Sequence, residues 1–112
     1  MARRLEVIQN WRKHLVSNIF SKKKIQYKFQ EDKILRMVKN YIDSTYDAHY
    51  SMNKIQSTEF IVDAGHADGF CIGNIIKYAQ RYGKKNGKNE IDLLKIIHYT
   101  IILLGCEDGD KK

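Results

Sequence analysis

Residues 73–81 read GNIIKYAQR. Plotted at about 100° per residue, they split into two faces. Asn74, Lys77, Tyr78 and Arg81 share one face, and Ile72, Ile75, Ile76 and Ala79 share the opposite one. The spacing predicts an amphipathic helix over about residues 70–82, with Asp68 as its N-cap. Its polar face carries an amide, two cations and a phenol but no carboxylate. All four side chains can donate a hydrogen bond to an anion. A solvated face with snorkelling cations is the bland account of such a pattern. The sharper account is an anion site, with phosphate as the fitting ligand.

The segment that follows, GKKNGKN at residues 83–89, combines two glycines with three lysines. Flexible backbone N–H groups beside ammonium groups suit a phosphate. A mobile solvated turn is the competing reading. The segment follows a helix and lacks the G-x-x-x-x-G-K-[ST] order, so it is not a P-loop. No G-x-G-x-x-G occurs in the chain either.

A last helix is expected over residues 90–104. Leu93, Leu94, Ile97, Ile101 and Leu104 form its expected core face, and Asp92, Lys95 and Tyr99 its polar front. Two helices joined by so short a loop should be antiparallel neighbours. If their polar fronts converge, they gather Asn74, Lys77, Tyr78, Arg81, Asp92, Lys95 and Tyr99, with Lys84 and Lys85 from the loop.

Upstream, Ser57 or Thr58 can cap a short helix over 59–64, with Gly65 as its stop. From Asp47 the texture is polar and aperiodic, which predicts a loop carrying His49 and Tyr50. Residues 31–46 predict a helix with Ile34, Leu35, Val38, Tyr41 and Ile42 as its stripe. Glu31 and Asp32 stand in its first turn, where the helix dipole favours them. Residues 25–29 alternate like a short edge strand or extended connector. Residues 5–19 predict a helix with Leu5, Ile8, Trp11, Leu15 and Ile19 on one arc, suited to packing or to an oligomer contact.

The expected fold is mainly α: four to five helices with an irregular central loop region, forming a homo-oligomer because the apolar arcs exceed one small core. The expected organisation is a basic helical extension over 1–46, a core over 47–105 and a polar tail over 106–112. The chain of 112 residues has a net charge of +7, and all of that excess falls within residues 1–46. Such a patch could attract nucleic acid or an acidic protein at long range. Cys71 and Cys106 make no metal spacing with each other and are expected as reduced thiols. No apolar run approaches the ~20 residues of a membrane span, and no signal peptide is evident. A cytoplasmic protein with no membrane partner is therefore expected. No Asp/Glu cluster suggests a metal cage, and neither cysteine has a nearby histidine in a catalytic arrangement.

The motifs H-Y, K-I-Q-x-x-E-F-I, G-F-x-x-G-N-x-I-K-Y-x-x-R-Y, K-K-N-G and D-L-x-K-x-x-x-Y span residues 49–99. In order and spacing they resemble a family of small bacteriophage proteins. That family includes the small nucleotide kinase of podoviruses of enteric bacteria, which lacks a Walker motif. The resemblance implies phosphorylation of deoxynucleoside monophosphates at the expense of a triphosphate, in the cytoplasm of an infected bacterium. The matching positions are His49, Tyr50, Asn74, Lys77, Tyr78, Arg81, Lys84, Lys85, Asp92, Lys95 and Tyr99. On chemical grounds Lys77 and Arg81 would clamp the transferred phosphoryl group, and the others would bind the nucleotide. Mg²⁺ would arrive with the nucleotide, held through water by Asp92 or Asp63. The chain departs from the family in its last helix, where KIIHYTIILL is unusually apolar and implies a packed interface. Two other classes of function fit the residues. One is a phage protein that sequesters a nucleotide signal of a host defence system without turnover. The other is a nucleic-acid-binding or protein-binding module that uses the basic N-terminal half.

Overall fold

In the computed structural model, residues 2–21, 24–47 and 49–109 are described; the side chains of 2–5, 16–21, 49–52 and 107–109 lie outside that description. Five helices follow one another among the described residues: α1 (Ala2–Ser21), α2 (Glu31–Asp47), α3 (His49–Asp63), α4 (Ala67–Arg81) and α5 (Glu90–Gly109). No strand occurs there, so the alternating stretch at 25–29 is a connector. Its side chains have no sheet partner, and Ile25, Tyr27 and Phe29 stay exposed. The mainly α expectation therefore holds. The irregular centre does not, because α3 begins at His49 rather than Glu59.

That difference has a physical cause. Neither glycine nor proline occurs between His49 and Asp63, so nothing interrupts a helix there. The apolar residues keep too weak a period to announce one. Ile55, Thr58, Ile61 and Val62 are half-buried at spacings of three and four, which is enough to dock the helix once its neighbours exist. Gly65 ends α3 as expected. Its φ of 91° is left-handed, its N–H bonds to Val62 O, and the His66 N–H reaches Ile61 O. This pair of bonds is a Schellman motif.

The helix α4 starts at Ala67, one turn earlier than the period suggests. Asp68 therefore stands inside the first turn instead of capping it. His66 occupies the cap position without a side-chain bond. Asp68 still favours the helix by meeting the positive end of its dipole. Arg81 is the last residue of α4, and Gly83 (φ 85°), Asn86 (φ 61°) and Gly87 (φ 67°) turn the chain back. The Gly83 N–H bonds to Gly87 O, and the N–H groups of Lys84 and Lys85 bond to Arg81 O. Asn89 caps α5, its Oδ1 accepting the Ile91 N–H at 3.0 Å.

The closest packing is between α4 and α5. They run antiparallel: Arg81 meets Asp92 near the loop, and Phe70 meets Tyr99 farther along. The second correction concerns which faces meet. The isoleucine face of α4 was expected inward, yet Ile72 and Ile76 are exposed while Tyr78 is only 6% exposed. The same holds for α5: Leu94 is buried as expected, but Leu93, Ile101 and Leu104 of its expected core face are largely exposed. The polar, tyrosine-bearing fronts of the two helices face each other instead. Helix α2 packs on α3 and α5 through buried Val38 and through the Tyr41 ring, edge-on to His98. Leu35, also expected in that stripe, is exposed. On α1, Trp11 and Leu15 are exposed, while Leu5 and Ile19 lie outside the described side chains.

The four buried apolar side chains are Val38, Cys71, Tyr78 and Leu94. With so small a core, each counts heavily. Leu94→Ala should cost about 2–4 kcal/mol, seen as a clear drop in thermal midpoint. Leu35→Ala, at an exposed position of the same chemistry, should change stability by under about 0.5 kcal/mol. Parallel thermal melts of the two variants check this contrast.

Candidate functional site

The meeting of the two polar fronts builds a column of side chains between α4 and α5. Nearest the loop, Arg81 Nε lies 3.9 Å from Asp92 Oδ1. Asp92 is 4% exposed, and its Oδ2 has no hydrogen-bond partner. Next, Tyr78 and Tyr99 stack with ring centroids 6.2 Å apart and planes 11° apart. Phe70 then meets Tyr99 edge-on at 5.6 Å. Offset and edge-to-face pairs of this kind contribute about 0.5–1.5 kcal/mol each beyond the area they bury.

Cations surround Tyr78. The Lys95 ammonium lies 4.9 Å from its ring centroid and the Lys77 ammonium 5.2 Å. The Arg81 guanidinium carbon is 5.9 Å away. Lys54, from α3, adds its field to the same phenol. Burial alone would raise the Tyr78 pKa; the charges of Lys95, Lys77 and Lys54 outweigh it and bring the net value below the ordinary 10.0. Tyr41 and Tyr99 show the contrast, because burial raises both. The position of Tyr78 is thus one of strong positive potential. Lys54, Lys77 and Lys95 come from three different helices, and none forms an ion pair among the described residues.

Lys54 and Lys95 line a cleft of about 880 Å³ between α2, α3 and α5. Tyr41, Tyr46, Phe60 and Tyr99 supply aromatic walls. Glu59 and Asp63, one turn apart on α3, line it as well. Such a volume and mixed lining suit one small organic anion. His98 also lines the cleft, and burial lowers its pKa below 6.5. Cys71 is fully buried, which pushes its thiol pKa up and keeps it protonated and unreactive at neutral pH. No group of three or more metal-ligating side chains occurs among the described residues.

The structure brings Tyr78, Lys77, Arg81, Asp92, Lys95 and Tyr99 together. Asn74 lies on the same face, but its Nδ2 is spent on Phe70 O at 2.9 Å. Arg81 is held by Asp92 instead of standing free to clamp a phosphoryl group. Asp92 faces Arg81 and is too enclosed to reach a metal through water. Lys84 and Lys85 are exposed in the loop and do not line the cleft. His49 and Tyr50 fall in the first turn of α3, with side chains outside the described residues. Sequence reasoning missed Lys54. The available signal was its place at the head of the K-I-Q motif, on a segment expected to be a loop.

The molecule is thus an all-helical chain with a cationic, aromatic-walled cleft against its α4–α5 hairpin. Residues 44–100 match the family model described as a protein of unknown function, DUF3310, and the chain belongs to that family. The match contains the whole stretch of motifs at residues 49–99. No curated protein and no solved structure matches the chain.

Two titrations test the electrostatics. Difference absorbance should show one tyrosine ionising below the ordinary range, lost in Tyr78→Phe and shifted upward in Lys95→Met. His98 gives the opposite end of the pH scale. Its folded pKa is depressed, so its stabilising contribution is complete above pH 6.5 and is lost as pH falls through the lower folded value. Denaturant midpoints should therefore fall on acidification from pH 7 towards 5, and His98→Gln should flatten that fall.

Proposed function

We propose that this chain binds a nucleoside phosphate in the α2–α3–α5 cleft and acts on it as a monophosphate kinase-like phosphoryl transferase. The observation that carries the binding is the set of three lysines, unpaired with any carboxylate, focused on Tyr78. Three converging ammonium groups match the charge of a phosphate, for which lysine is a common ligand. The aromatic walls suit stacking of a base. Phosphoryl transfer asks mainly for positioning and charge neutralisation, and the lysines supply both. The resemblance to the phage kinase family supports turnover and a phage origin. The nearest chemistry for Mg²⁺ carried by a triphosphate is the Glu59–Asp63 pair, which would contact it through water. With no third acid beside them, these two would not hold the ion on their own.

One observation favours a second reading, capture of a nucleotide signal without turnover. Arg81 is engaged by buried Asp92, so the cations facing the cleft are lysines alone, without a free arginine to follow charge into a transition state. The basic surface of residues 1–46 remains the basis of a nucleic-acid-binding or protein-binding alternative.

Calorimetric titration with nucleoside mono-, di- and triphosphates, with and without Mg²⁺, followed by chromatography of the same samples, separates these readings. Binding with conversion of a monophosphate to a diphosphate supports the kinase. Binding with the ligand recovered intact favours capture. Lys54→Met and Lys95→Met should each weaken binding tenfold or more, whereas Lys84→Met with Lys85→Met should leave it within about twofold, near the ~1.4 kcal/mol-per-decade resolution of affinity arithmetic. Absence of binding across the panel overturns the proposal.

A further inference from the structure

Because α4 and α5 turn their polar fronts towards each other, their aliphatic rows are left on the outside. Ile72 and Ile76 on α4, and Leu93, Ile101 and Leu104 on α5, are each two-fifths or more exposed. Ile97 is half-buried between them. These rows lie on one side of the hairpin. In an antiparallel pair, rotation in the same sense from the contact line leads to the same side on both helices. Ile72 and Ile76 stand about 100–140° around α4 from the Cys71–Tyr78 line, and Leu93, Ile97 and Leu104 stand about 100–140° around α5 from the Asp92–Tyr99 line. Lys77, Lys95 and His98 lie in the opposite sense, towards the cleft. The result is a continuous aliphatic face on the back of the site. Ala79 and Thr100 fill it out, and it carries no charged side chain.

The exposed area is far more than a chain of this size carries alone. The accessible surface is 9195 Å², whereas a compact monomer of this mass exposes about 6,400 Å². The surplus of about 2,800 Å² is more than three times the ~800 Å² that each partner gives to a standard interface. The radius of gyration, 16.1 Å, likewise exceeds the ~13 Å of a compact domain of this length.

We propose that a second copy of this chain covers the α4–α5 back face, two hairpins packing about a two-fold axis into a four-helix bundle. An uncharged aliphatic patch is self-complementary under a two-fold axis, because each row meets leucine or isoleucine whichever row it faces. The same lack of charge gives nucleic acid or an acidic protein nothing to recognise there. Both clefts stay on the outer sides of the dimer, open to ligand. The inference does not rest on nucleotide binding, and its test uses no ligand.

Light scattering on the purified full chain should give twice the 13.2 kDa chain mass, or an even multiple of it. Ile76→Lys with Leu104→Lys should reduce it to a single chain while the far-ultraviolet circular dichroism stays helical. Leu35→Lys, at an equally exposed leucine on α2, should leave the assembly intact. A photoreactive phenylalanine analogue at position 76 avoids the risk that the charged pair unfolds the chain. It should crosslink to a second copy, and the same group at position 35 should not. A native chain that runs as a monomer overturns the proposal. So does an assembly that survives the α4–α5 pair but falls apart in Leu35→Lys, or crosslinking from 35 and not from 76.

Discussion

The stacking of Tyr78 on Tyr99 is the contact on which the rest of the arrangement depends. It fixes the rotation of α4 and α5 about their own axes. With that rotation set, Arg81 and Asp92 must meet at the loop end, because they share the faces of the two tyrosines. Lys77 and Lys95 must then flank the Tyr78 ring. Helices α2 and α3 dock against the side where Lys95, His98 and Tyr99 emerge, and the cleft forms there. One rotation therefore decides the site, the small core and the uncovered aliphatic rows together.

The energetics of this choice are uneven. A hairpin with its isoleucines inward would bury more apolar surface, at roughly 25 cal/mol per Å². Turning the tyrosines inward gives up that burial within one chain and gains aromatic contacts and a partly desolvated ion pair. Asp92 shows the cost: one carboxylate oxygen is buried without a hydrogen bond, and a buried unsatisfied acceptor is expensive. A second copy on the aliphatic rows would restore the lost burial, so that assembly and site share a single cause.

Much of this was legible in the chain. The spacing of Asn74, Lys77, Tyr78 and Arg81, set beside that of Asp92, Lys95 and Tyr99, marked two matching polar fronts on helices joined by a short loop. Their convergence follows from those spacings. Their burial does not, because a pattern of apolar residues names the face that avoids water without saying whether the same chain or another covers it. For this reason Ile72, Ile76, Leu93 and Leu104 were assigned to a core they do not occupy. The helix α3 was half missed because its residues 49–58 carry no clear period and are held by tertiary docking. Lys54 went unnoticed for that reason: on a loop it has no defined neighbours, whereas on a helix it faces Tyr78. Lys84 and Lys85 erred the other way, since a composition of glycine and lysine suggests a phosphate cradle that the fold directs away from the cleft.

The central claim is that the anion seat lies at Lys54, Lys77 and Lys95 beside Tyr78. A crystal structure of the chain with a nucleoside monophosphate bound tests it most directly. The account predicts the phosphate within hydrogen-bonding distance of those three ammonium groups, with the base among the aromatic walls of the cleft. A phosphate seated instead on the 83–89 loop with Lys84 and Lys85, or on the basic surface of residues 1–46, would contradict it.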